Sequence, residues 1–97
     1  MLNAKGRCMN DRKRILIIDA DVDLCLLMKV YFLRKNCEVF ISHTCIDAIR
    51  RMEEIKPHTI FLSSAACQNR KDEIAKISAL APGAEIVIDN YLPSNEA

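Results

Sequence analysis

The feature that most constrains this chain is a short apolar run that ends abruptly in carboxylates. Residues 15–18 read Ile-Leu-Ile-Ile, and residues 19–21 read Asp-Ala-Asp. A continuous β-branched run, in contrast to an alternating one, is typical of a strand that is buried on both faces. The run therefore predicts a central strand of a parallel sheet, with Asp19 at its carboxyl end.

Three further apolar runs follow, at residues 37–41, 59–62 and 86–88, and helical patterns separate them. The order βαβαβαβ with short loops predicts a three-layer α/β/α fold, with one mainly parallel sheet of four strands and three helices on its two faces. Ligands of such sheets bind at the carboxyl ends of the strands, where the strand order reverses. We expect these residues to cluster there: Asp19, Ala20, Ser63 and Asp89.

Capping residues mark the helix boundaries. Asp21 is placed to cap the first helix, and Asn36 is suited to end it in a left-handed conformation. Thr44 and Asp47 resemble a capping box at the start of the second helix, and Pro57 stops that helix. The stripes predicted to face the sheet are Leu24, Leu27, Met28, Tyr31 and Phe32, then Ala48, Ile49, Met52 and Ile55, then Ile74, Ile77 and Leu80.

Length and charge limit the function classes. A chain of 97 residues with 51% hydrophobic residues suits one folded domain, which we place at residues 13–97 after a basic leader at residues 1–12. A net charge of +1 gives no general attraction to nucleic acid, and the leader is interpreted as a solvated segment. No apolar run reaches the ~20 residues that span a bilayer, and none follows the leader as in a secretion signal. We expect a cytoplasmic protein without a nucleic-acid or membrane partner.

Five cysteines lie at irregular spacing, without a C-x-x-C pair. We interpret them as reduced, mostly buried side chains, because an odd number without a secretion signal does not indicate a disulfide framework. Their spacing also does not fit a zinc site. Ser63 and Cys67 lie in the loop after the third strand, but the sequence places no activating base beside either of them. The cysteines are Cys8, Cys25, Cys37, Cys45 and Cys67.

Four segments, at residues 14–24, 36–39, 47–49 and 56–63, together resemble the receiver domain of two-component response regulators. The similarity runs from about residue 13 to residue 90. The resemblance implies a flavodoxin-like (CheY-like) fold that is incomplete, because receivers continue through another helix, a fifth strand and a final helix. Residues 85–90 match strand four best; in the alternative register, residues 89–92 match the approach to strand five and the intervening βα segment is deleted.

The resemblance also implies a degenerate phosphorylation site. Receivers accept a phosphoryl group on an aspartate after the third strand and hold Mg²⁺ with it and an acidic pair after the first strand. Asp19 matches the first member of that pair, but Ala20 stands in place of the second and Ser63 in place of the acceptor. Asp89 stands in place of a switch Thr or Ser, and no lysine follows it. We expect no catalytic residue and no cofactor, with Asp19 and Asp21 as weak Mg²⁺ candidates only.

Three function classes remain open. The first is a phosphorylation-independent pseudo-receiver that binds a histidine kinase, a phosphotransferase or another response regulator, or binds itself as a homodimer. The second is a fragment of a larger response regulator whose output domain is missing. The third is a small α/β enzyme of another family, which the absence of a glycine-rich phosphate loop disfavours, since the only glycines are Gly6 and Gly83.

Overall fold

Strands and helices alternate as the apolar pattern predicts. The computed structural model describes residues 12–89, so residues 1–11 of the predicted leader and residues 90–97 of the predicted domain lie outside the described part. Each strand begins and ends within one residue of its predicted run. In chain order the elements are β1 (Arg14–Ile18), α1 (Val22–Arg34), β2 (Glu38–Ser42), α2 (Cys45–Ile55), β3 (Thr59–Leu62), a 3₁₀ turn (Ser64–Ala66), α3 (Arg70–Leu80) and β4 (Glu85–Ile88).

The four strands form one parallel sheet in the order β2-β1-β3-β4. Ile17 of β1 pairs with Ile41 of β2 on one side and with Phe61 of β3 on the other. β4 lies beside β3, which agrees with the register that matches it to strand four. β2 and β4 are the edges of the sheet that residues 12–89 form, and the predicted order of four strands and three helices is confirmed.

β1 is buried on both faces because its side chains alternate between two cores. Leu16 and Ile18 pack with α2 and α3 on one face of the sheet. Ile15 and Ile17 pack against α1 on the other face. All four side chains are at most 2% exposed, so the predicted central strand is confirmed.

The predicted helix boundaries are also confirmed. The Thr44 hydroxyl accepts the N–H of Asp47 at 3.0 Å, which opens α2. Asn36 has φ 66° after α1, in the left-handed region that we expected there. Lys56 ends α2 in the same region, at φ 50°, although Lys is not a residue that predicts such a cap. α2 buries the predicted Ala48, Met52 and Ile55 and half-buries Ile49.

The stripe that α1 presents to the sheet differs from the predicted one. Cys25 is buried, and Met28 and Phe32 pack beside it. Leu27 and Tyr31 are exposed, by 68% and 55%, so their predicted inward orientation is wrong. The reason is that α1 carries apolar side chains on almost every side, and periodicity alone does not select one stripe. Among residues 12–89, no helix has both the length and the apolar character needed to cross a membrane.

α3 is predicted correctly only in part. Ile77 is fully buried and Ile74 packs at the edge of the core, but Leu80 is exposed, against the prediction. A carboxylate lies on the buried side of the helix instead. Glu73 is buried because its Oε1 accepts the backbone N–H of Gln68 at 3.0 Å, which compensates part of its desolvation.

The interpretation of every cysteine as reduced is wrong for one pair. Cys45 and Cys67 form a disulfide across 22 residues of sequence. It joins the first residue of α2 to the segment between the 3₁₀ turn and α3. Cys25 and Cys37 are free and buried, as expected, whereas Cys8 lies outside the described residues. Spacing did not reveal the pair because only the fold brings the β2–α2 and β3–α3 connections together.

Candidate functional site

Three of the predicted site residues stand side by side at the carboxyl ends of neighbouring strands. The Ser63 N–H donates to the Ile18 carbonyl oxygen, and the Asp89 N–H donates to the Leu62 carbonyl oxygen, each at 2.9 Å. These bonds extend the parallel ladder one residue beyond the strands. Asp19, Ser63 and Asp89 therefore occupy consecutive places across β1, β3 and β4, and we name these three residues the carboxyl-end row. Three of the four residues that we expected to cluster thus lie side by side, and their role stays a prediction.

Asp19 is held within the protein by several contacts. Its carboxylate is buried and accepts the backbone N–H of Asp21 through Oδ1 at 2.9 Å. Its carbonyl oxygen lies 2.9 Å from Nδ1 of His43, which must donate because a carbonyl only accepts. The Cys25 thiol donates to the same oxygen at 3.4 Å. Ala20, between the two aspartates, is exposed. Through its hydrogen bonds Asp19 orders the turn from β1 into α1.

His43 and Cys25 are contacts that the sequence did not reveal. The parallel pairing of β1 and β2 brings His43, which lies after β2, to Asp19, whereas Cys25 reaches Asp19 from the first turn of α1. Burial raises the pKa of the Cys25 thiol, and the negative charges of Asp19 and Asp21 raise it further. A thiol with a raised pKa is a poor nucleophile at neutral pH. Cys25 is therefore a structural residue.

Asp21 is exposed and caps α1, as predicted. Its Oδ1 accepts the N–H of Leu24 at 3.1 Å, and its φ and ψ of −81° and 105° are extended, as an N-cap requires. A carboxylate at this position also interacts favourably with the helix dipole. The geometry accounts for Asp21 without a metal ion.

Asp89 joins the last strand to the turn after β3. Its Oδ1 accepts the backbone N–H of Ser64 at 2.8 Å, and its Oδ2 accepts the Ser64 hydroxyl at 2.7 Å. These two hydrogen bonds, together with the positive charge of Arg70, hold the pKa of Asp89 below its usual value. Asp89 has a left-handed backbone, φ 61°, which aspartate tolerates better than most residues. Ser64 was not among the predicted site residues, although it directly follows Ser63 in the sequence.

Ser63 begins the 3₁₀ turn. Its carbonyl oxygen accepts the N–H of Ala66 at 2.9 Å, while its hydroxyl makes no capping hydrogen bond to the turn. His58, the second histidine of the sequence, lies at the other end of β3 and accepts the backbone N–H of Arg14 on its Nδ1 at 2.8 Å. Neither histidine is therefore engaged with Ser63 as an activating base.

The residues of the carboxyl-end row do not fit Mg²⁺. This ion requires near-octahedral oxygen ligands at 2.0–2.1 Å, usually carboxylates supported by water. Oδ1 of Asp19 and Oδ1 of Asp21 each accept a backbone N–H, and both oxygens of Asp89 are bound to Ser64. Receivers carry a carboxylate after the third strand, at the position that the sequence resemblance assigns to Ser63. The row thus lacks a carboxylate after the third strand, and weak or absent Mg²⁺ binding stays a prediction.

A second group of side chains that are able to bind a metal lies near the N-terminal ends of α2 and α3. Cys45, Cys67 and Glu73 bring two sulfurs and a carboxylate within 4.8 Å of one another, and they are the one such group in the part of the chain from residue 12 to residue 89. The two sulfurs are bonded to each other, so neither offers a thiolate. The group is a disulfide beside a hydrogen-bonded glutamate.

Comparison with known proteins identifies the fold. No protein-family model matches the sequence, and no curated protein matches it. A solved structure that is similar is the signal receiver domain of a modulated diguanylate cyclase from Desulfovibrio desulfuricans G20, with a TM-score of 0.72 at 12% sequence identity. The match covers 88% of this chain and 67% of that one. The CheY-like fold that the sequence resemblance implies is confirmed: the chain has the fold of a signal receiver domain.

Proposed function

We propose that this protein is a pseudo-receiver, a protein-binding module of two-component signal transduction that works without phosphorylation. The receiver fold supports a role in such a pathway. The observation that carries the rest is the contact between Asp89 and Ser64. In this contact the Asp89 carboxylate accepts the backbone N–H of Ser64, the first after Ser63. That donor is therefore not available to an anion.

The charge around the carboxyl-end row opposes phosphoryl transfer. Asp19, Asp21 and Asp89 bring three carboxylates to this end of the sheet, and Arg70 acts on Asp89. A transferring phosphoryl group is anionic and needs cationic or hydrogen-bonding partners. The acidic side chains at this end of the sheet would repel such a group. The site therefore disfavours the bound phosphoryl group as well as its transfer.

Nucleophilic attack from the row is also unsupported. An activated hydroxyl requires a base within hydrogen-bond reach. His43 uses Nδ1 to donate to the Asp19 carbonyl oxygen, and Ser63 is an unactivated hydroxyl at the place of the acceptor carboxylate. We therefore propose that the protein is not an enzyme, needs no cofactor and acts in the cytoplasm through protein contacts.

A binding experiment tests this function. The full chain is immobilised and exposed to cytoplasmic extract of its own cell in two parallel samples, one with Mg²⁺ and a small phosphodonor and one with a chelator. We expect the same histidine kinase, phosphotransferase or response-regulator partners at the same abundance in both. A partner that is captured only with the phosphodonor and Mg²⁺ would contradict phosphorylation-independent binding. A receiver with an intact site serves as the positive control.

A further inference from the structure

Helix α1 carries most of the exposed apolar side chains of the described chain. Eight large hydrophobic residues are exposed between residues 12 and 89, and six of them lie on α1. The outer side of a surface helix is normally polar, and a contiguous apolar patch of this kind marks an interaction site. We name this patch the α1 apolar surface; it consists of Val22, Leu26, Leu27, Val30, Tyr31 and Leu33.

The charged residues of α1 are placed so that they would complement the same helix of a second copy of the chain. At about 100° per residue, positions 23, 27, 30 and 34 fall within roughly 60° of arc on the outermost side of the helix. That line begins with Asp23 and ends with Arg34, about 16 Å apart, and it has Leu27 and Val30 between them. Lys35, which follows the helix, lies to one side of this line, with its Nζ 5.3 Å from the centroid of the Tyr31 ring.

We propose that the α1 apolar surface binds the same surface of a second copy of this chain, with the two α1 helices antiparallel. In that arrangement Asp23 of each copy faces Arg34 of the other, and Leu27 faces Val30. One two-fold axis generates every contact twice, as an isologous dimer requires. A parallel arrangement would place Asp23 against Asp23 and Arg34 against Arg34, which like-charge repulsion disfavours.

This dimer deepens the proposed binding role and rests on it, because it names the surface and one partner. It differs from dimerisation through the exposed edge of β4. A single pair of short helices buries less than the roughly 800 Å² per partner of a standard interface. We therefore expect a dissociation constant in the micromolar range.

Sedimentation equilibrium of the full chain tests the proposal, with non-reducing electrophoresis used to exclude intermolecular disulfides. We expect a monomer–dimer equilibrium that Val30→Asp abolishes. The matched control is Leu80→Asp, which places the same charge on an exposed leucine of α3 and leaves the dimer unchanged. Urea unfolding of each variant verifies that it is folded.

A charge-reversal cycle tests the antiparallel orientation. Asp23→Arg and Arg34→Asp should each weaken the dimer about fivefold, since each breaks two exposed ion pairs and adds repulsion. The double variant should recover most of the loss. A monomeric wild type, a dimer indifferent to Val30→Asp, or a double variant as weak as the sum of its single changes would overturn the proposal. A monomer that still binds its partners without phosphodonor would leave the proposed function standing.

Discussion

The Asp89 carboxylate binds Ser64 through both of its oxygens, at 2.8 Å to the backbone nitrogen and 2.7 Å to the hydroxyl. This contact connects the end of β4 to the 3₁₀ turn that follows β3. On the sequence resemblance, Asp89 stands in place of a switch hydroxyl of receivers; here it is an acceptor that uses the donors of the adjacent turn. Asp89 of the carboxyl-end row is therefore held in place by the fold itself.

The contact predicts a specific dependence of stability on pH. The pKa of Asp89 is lower in the folded chain than its usual value of 3.8. Its contribution to the free energy of unfolding is therefore complete above that value and is lost as the pH falls through the folded pKa. Urea unfolding from about pH 6 to about pH 2.5 should show a shallower acid loss for Asp89→Asn than for the wild type.

The control for this measurement is Glu54→Gln, which removes an exposed carboxylate of α2. It should follow the wild-type curve. If Asp89→Asn and Glu54→Gln give the same acid dependence, the hydrogen bonds to Ser64 do not stabilise the folded chain.

Asp21 is predicted to act as a helix cap. Asp21→Ala should lower the free energy of unfolding by about 1 kcal/mol, because the N–H of Leu24 loses its acceptor. Asp21→Ser should remain within a few tenths of a kcal/mol of wild type, since serine also caps. The measurement is urea unfolding with and without Mg²⁺. A Mg²⁺-dependent gain in wild type that both variants lack would identify Asp21 as a metal ligand and refute the capping role.

The two apolar side chains of α3 should differ strongly in their effect. Ile77 is fully buried and Leu80 is 47% exposed. Ile77→Ala should lower the free energy of unfolding by about 3 kcal/mol, whereas Leu80→Ala should change it by less than about 1 kcal/mol. Equal losses would show that Leu80 faces the core, as its spacing in the sequence indicates.

The disulfide between Cys45 and Cys67 gives a prediction of its own. A bridge that closes 22 residues restricts the unfolded chain and should stabilise the protein by about 3 kcal/mol. Dithiothreitol should therefore lower the urea midpoint of the wild type. The Cys45→Ala/Cys67→Ala variant should have the same midpoint with and without dithiothreitol. Peptide mapping that finds both thiols free in the purified protein would show that the pair is reduced.

The sequence predicted the strands and their order well because burial leaves a simple signature in a parallel sheet. The run at residues 15–18 is continuous, and each of its side chains enters one of two cores. Capping at Asp21, Asn36 and Thr44 was also predictable, since these residue types form local hydrogen bonds or tolerate left-handed backbone.

The sequence was less informative where long-range contacts decide the outcome. The prediction of the inward stripe of α1 is wrong because Leu27 and Cys25 are both apolar. Only the position of the sheet determines which of the two is buried. The Cys45–Cys67 bond and the Ser64–Asp89 contact each join segments more than 20 residues apart. Neither leaves a local pattern in the sequence.

The central claim is that the receiver fold is retained here without its phosphorylation chemistry. Its most direct test is the intact mass of the full chain after incubation with Mg²⁺ and a small phosphodonor, beside a receiver with an intact site as positive control. We expect an unchanged mass, because the sequence resemblance puts Ser63 in place of the acceptor carboxylate and Asp89 already binds Ser64. Stoichiometric addition of a phosphoryl group to the chain would contradict it.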